Sequence, residues 1–152
     1  MHLDALPYSA QHFVRTLASS SYAPRSVWLI GSRANDRANE LSDTDLLIFG
    51  STSLIDELKS SLPAPINTYA LIIYNGNDYV DPWQDKRGSL ANLKWTLLTP
   101  ALASYKGLRW IADEESEEGY SPDSGELLTL NERACRIWAA PEHHVLSQQV
   151  SN

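Results

Sequence analysis

Two four-residue apolar runs, each closed by a glycine, organise the first third of the chain: Val27-Trp28-Leu29-Ile30 before Gly31, and Leu46-Leu47-Ile48-Phe49 before Gly50. Uninterrupted apolar runs of that length predict strands buried on both faces. Ile66 to Tyr74 predicts a third strand, with Asn75-Gly76 as the turn after it. Two segments show helical spacing instead. Ser9 to about Ser20 places Phe13, Val14 and Leu17 on one face, with Ser9 as a fair N-cap, and Thr52 to Ser61 turns Leu54, Ile55 and Leu58 inward. Pro63 and Pro65 end the second helix. Asp78 to Trp83 reads as an extended segment and a turn. Ser89 to Thr99 fits either a helix or a strand. Trp110-Ile111 reads as a short strand, Glu114 to Gly119 as a loop or helix end, and Asn131 to Ala140 as a helix stopped by Pro141. The order α-β-β-α-β predicts an α+β (α/β-like) domain, a mixed sheet with helices packed on it.

Composition narrows the class. The chain has 152 residues, 43% of them apolar, enough for one domain with a core. No apolar run reaches the roughly 20 residues of a membrane span, and the N-terminus lacks the pattern of a signal peptide. One cysteine, Cys135, excludes an internal disulfide, so a cytoplasmic setting is expected. The net charge of −7 resides in residues 111–152, which carry two basic and nine acidic side chains; the first 110 residues are neutral. Residues 1–110 are therefore expected as the core, and 111–152 as an acidic, partly helical extension of the same domain. A neutral core lacks the basic field that extended nucleic acid demands, while a small anion neutralised by metal remains compatible.

The candidate chemistry lies between the first two strands. Asp43 and Asp45 stand two apart at the mouth of the second strand, so their side chains share a face. Two like charges side by side repel, and a divalent cation resolves the conflict. Oxygen ligands completed by water and phosphate suit Mg²⁺, with Mn²⁺ as the alternative. Gly31 lets a phosphate approach the backbone after the first strand. A helical turn starting at Ser32 would present free N–H groups, the Ser32 hydroxyl adds a hydrogen bond, and Arg33 can reach phosphates as a planar fork.

Gly31-Ser32-Arg33-Ala34 and Ser42-Asp43-Thr44-Asp45-Leu46-Leu47-Ile48, with ten residues between Ser32 and Asp43, resemble the DNA polymerase β-like nucleotidyltransferase superfamily, especially its small prokaryotic members. The resemblance covers roughly residues 9–75. It implies a mixed-sheet fold, Mg²⁺ and a metal-dependent nucleotidyltransferase. Such an enzyme moves a nucleoside monophosphate from a nucleoside triphosphate such as ATP to an acceptor that the resemblance leaves unnamed. It also implies a partner, since small members of this superfamily often sit beside a helical, toxin-like protein; a homodimer is the other expectation. The superfamily usually carries a third carboxylate on the strand after the next helix. Here Asn67 stands where that acid is expected, and no Asp or Glu occurs from Lys59 to Asn77. Asp78 or Asp81 could replace it after a reversal at Asn75-Gly76, with Asp78 the nearer and turn chemistry the commoner use of both. Otherwise the reaction needs no base, or catalysis is lost and a nucleotide-binding or partner-binding domain (antitoxin- or sensor-like) remains.

The other polar and aromatic residues have plainer readings. Lys86, Arg87 and Lys94 read as solvated surface before phosphate steering. Trp83, Trp95 and Trp110 read as core, His12 as an exposed helix residue, Cys135 as helix filler, and His143-His144 as a weak metal candidate.

Overall fold

A computed structural model describes residues 2–61, 63–84, 86–112 and 125–141. Its centre is an eight-stranded mixed sheet in the order β5-β4-β3-β2-β1-β8-β7-β6. The strands are β1 (Ser26–Ile30), β2 (Thr44–Phe49), β3 (Thr68–Ile73), β4 (Asp78–Val80), β5 (Arg87–Ser89), β6 (Thr96–Thr99), β7 (Leu102–Ala112) and β8 (Gly125–Ala139). β2 and β3 are parallel, as a crossover through a helix requires, and the other described pairings are antiparallel. That crossover helix is α2 (Thr52–Ser61), where the Ser51 hydroxyl accepts the Leu54 N–H at 3.2 Å. α1 (Tyr8–Ala18) starts one residue before the expected Ser9 cap, with Pro7 as the capping residue.

Both faces of the sheet's middle are covered, which is why β1 and β2 read as continuous apolar runs. Val27, Leu29, Leu46, Ile48, Ala70 and Ile72 point to α1 and α2 and pack with Phe13, Val14, Leu17, Leu54 and Leu58. Trp28, Leu47 and Ile73 point the other way, toward Leu90, Ala103, Tyr105 and Ala134. Trp95 closes that second face, edge-on to Trp28 at 5.3 Å and stacked with Tyr105 at 6.3 Å. Trp83 packs on the helix side against Phe13.

The segment expected as a helix, Asn131 to Ala140, is instead the end of β8, between β1 and β7. Ala134, Arg136 and Glu132 are helix formers, but a place inside a sheet overrides propensity. A bulge hid the strand period: the register with β1 shifts between Val27 and Trp28, so Ile137 and Trp138 both meet the helix-side core. The Cys135 of that segment is half-buried in a strand. Trp110-Ile111 belongs to a strand of 11 residues, and Ser89 to Thr99 resolves into the end of β5, a turn and the exposed strand β6. Glu114 to Gly119 and His143-His144 lie outside the described residues. No helix among the described residues is long and apolar enough to cross a membrane.

Candidate active site

The antiparallel pairing of β1 with β2 sets Ile30 opposite Asp45, so the end of one strand meets the start of the other. Gly31 leaves β1 at φ 72°, ψ −155°, a conformation that side-chain-bearing residues rarely adopt. It also has no room for a side chain: a β-carbon there would lie 2.4 Å from Oδ2 of Asp45. The chain then makes a three-residue 3-10 turn, Ser32–Ala34. The first backbone N–H groups of such a turn have no partner within it. Ser32 is half-buried beside them.

Asp43 is exposed just before β2, and Asp45 is half-buried on its first turn of pleat. Burial pushes the Asp45 carboxyl above the usual carboxylate range, the charge of Asp43 pushes it further, and Lys86 opposes both. The sequence pattern therefore creates the expected charge conflict. No group of three or more metal-ligating side chains is assembled among the described residues. A cation here would draw two oxygen ligands from protein and the remainder from water and phosphate, the ligand pattern that Mg²⁺ accepts.

Arg33 lies beside this seat but is engaged with its own loop. Its Nη2 donates to the Ser42 carbonyl at 2.6 Å and to the Asn39 carbonyl at 3.4 Å, closing the segment that joins the glycine to the aspartates. The loop is tied down further along. Asn35 donates to the Gly31 carbonyl at 2.8 Å and exchanges hydrogen bonds with the backbone of Arg133 on β8. Arg37 grips the buried Glu132 carboxylate with both terminal nitrogens, at 2.7 and 3.1 Å.

Asn67 is exposed, with φ 51°, and its carbonyl accepts the Thr44 N–H at 2.9 Å. Thr44 pairs with Thr68, which places Asn67 beside Asp43 one step earlier. Asp78 is remote from this end. It begins β4 at the far end of β3, where its carboxylate accepts from Asn75 and Asn77 at 2.8 and 3.3 Å. The return of β4 along β3 brings Asp81 back instead. Asp81 lines a cavity of about 360 Å³ together with Asp45, Tyr69, Leu71, Gln84 and Lys86. It is buried, and its Oδ1 also does turn work, accepting the N–H groups of Trp83 and Gln84 at 2.8 and 3.0 Å. Lys86 thus stands beside the candidate site, while exposed Arg87 lies on β5 and Lys94 in the turn before β6.

One residue of this neighbourhood has no signal in the sequence. Tyr105, from β7, is buried, and its hydroxyl accepts the Gly31 N–H at 2.9 Å. Burial pushes its phenol up to about 12, with Glu132 and Asp45 acting in the same direction and the Gly31 hydrogen bond and Arg37 against it. Seventy-four positions separate the two residues, and no local spacing announces such a contact.

A family model of the nucleotidyltransferase domain matches residues 12–117. The chain belongs to that family. The match runs from α1 through β7, so this nucleotidyltransferase domain includes the glycine seat, both aspartates and Tyr105. β8, which carries Glu132 into the sheet, lies beyond the matched span. No curated protein and no solved structure matches the chain.

Proposed function

We propose that this nucleotidyltransferase domain transfers a nucleoside monophosphate from a nucleoside triphosphate to an acceptor in a metal-dependent reaction. The observation that carries the reading is the contact of Gly31 with Asp45: a glycine-only backbone seat touches the half-buried carboxylate of an aspartate pair. In the transfer, the acceptor's oxygen forms a bond to the α-phosphorus. The bond from that phosphorus to the bridging oxygen breaks, and pyrophosphate leaves. Asp43 and Asp45 would hold Mg²⁺ or Mn²⁺, which supplies charge neutralisation of the phosphates. Gly31 leaves room for the departing phosphates to approach the backbone, and Ser32 seats them through its backbone N–H and its hydroxyl. Catalysis is then chiefly positioning and electrostatics. The acceptor's proton passes to solvent, or to Asp81 if the acceptor occupies the cavity that Asp81 and Asp45 share. The setting we propose is cytoplasmic, with a second protein or a second copy as partner.

Titration calorimetry with Mg²⁺ and each common ribonucleoside triphosphate tests the reading, on the wild type and on Asp43→Ala/Asp45→Ala. Metal-dependent binding that disappears in the double variant supports it. A folded wild type that binds no triphosphate with or without metal refutes it.

A second reading is favoured by Asn67. Asn67, whose carbonyl accepts the N–H of Thr44 next to Asp43, carries an amide where the superfamily resemblance expects an acid. On that reading the domain binds nucleotide, or a protein partner, without turnover. Triphosphate binding with no pyrophosphate release toward any acceptor would select it.

A further inference from the structure

Tyr105 is held from two directions. Its ring stacks on Trp95 in the second core, and its oxygen accepts the Gly31 N–H. A phenol that accepts one hydrogen bond still has its own proton to donate. Among the described residues nothing accepts that proton, although Tyr105 is only 8% exposed. The nearest charged groups do not absorb it either. Glu132 is engaged by Arg37 through two bonds, and Oδ2 of Asp45 packs against Gly31. A buried donor without an acceptor is costly unless water or a ligand completes it.

We propose that Tyr105 is a nucleotide ligand: its oxygen fixes the Gly31 amide while its proton is donated to one of the phosphates that leave as pyrophosphate. The inference rests on the nucleotide reading above. The placement suits the role. The hydroxyl lies against the residue that opens the phosphate seat, and it comes from a strand on the opposite side of β1 from the aspartates. The leaving phosphates would then be held between β7 and the glycine turn, and the α-phosphate near β2. A phenol that stays protonated to high pH remains a donor throughout the working range. It also adds no negative charge near the phosphates.

Tyr105→Phe removes the hydroxyl and keeps the ring on Trp95. The probes are Mg²⁺ with whichever ribonucleoside triphosphate the wild type binds, and the monophosphate of the same base, by calorimetry. A thermal melt accompanies both. The expected result is roughly a tenfold weaker triphosphate and a monophosphate changed by less than about twofold. Equal weakening of both ligands would assign Tyr105 to loop shape alone and overturn the proposal. So would an unchanged triphosphate affinity, and in that case the wild-type binding would leave the nucleotide reading standing. If the wild type binds no triphosphate, both fall together.

Discussion

Oδ2 of Asp45 packs against Gly31 so closely that a β-carbon on the glycine would lie 2.4 Å away. Two requirements meet at one position, since Gly31 also has φ 72°. Gly31→Ala therefore strains the backbone by about 1–3 kcal/mol and displaces the carboxylate. A loss of about 2–4 °C in Tm per kcal/mol is expected for a chain of this size. Triphosphate binding should be lost with it. A variant melting and binding like the wild type would show that the seat is looser than this geometry.

Asp45 gives a pH signature of its own. Its folded-state pKa is raised, so the folded protein resists ionising it. At low pH the carboxyl is protonated in both states and costs nothing. As pH rises from the ordinary carboxylate value through the raised folded value, the unfolded chain ionises first and stability is lost. Asp45→Asn should thus raise the Tm of the metal-free protein at neutral pH, and the gain should vanish below the ordinary carboxylate range. Melts across that window, with and without Mg²⁺, measure it. A gain that persists unchanged at low pH would trace to packing instead of charge.

The ion pair of Arg37 with Glu132 should matter through what its loss leaves behind. The Glu132 side chain is 6% exposed and accepts both Arg37 bonds. Removing only the cation strands a buried carboxylate, at a cost of about 3–5 kcal/mol. Arg37→Met should be strongly destabilising, and Arg37→Met/Glu132→Leu should recover much of the loss. Denaturant titrations of the single and double variants decide it. A mild single variant would mean that Glu132 finds another partner.

Asn67→Asp tests the incomplete ligand set. The new carboxylate would stand beside Asp43 through the pairing of Thr44 with Thr68. Its backbone tolerates the change, since Asp, like Asn, accepts positive φ. Mg²⁺ affinity should rise several-fold, readable by calorimetry, and the rate of any transfer should rise too. If neither changes, the carboxylate at 67 does not reach the cation.

Much of this site was legible because it is local. Gly31, Ser32, Asp43 and Asp45 follow from two apolar runs, a glycine and an alternation of two, and α2 has the bounds its spacing predicts. What escaped was set by tertiary contacts. Nothing near Tyr105 in sequence marks it as the acceptor for Gly31. Separation along the chain favours Asp78 over Asp81, but β4 folds back along β3 and brings Asp81 to the cavity shared with Asp45. The sequence offers the whole Arg33 fork to phosphate, while the fold commits its Nη2 to the carbonyls of Asn39 and Ser42 in the loop ahead of Asp43. β8 was hidden by helix-forming residues and a bulge.

The place of β8 has a consequence for how the molecule assembles. β1 can pair with β2 as soon as Phe49 is made, but its other edge waits for residues 135–139. Until then Val27 to Leu29 present an apolar edge with unpaired peptide groups, the kind that recruits strands from other chains. Closure over a hundred residues of separation is slow in search time. A nascent chain stalled before β8 should thus need chaperone cover, and truncations upstream of Cys135 should aggregate even though the glycine seat and both aspartates are intact.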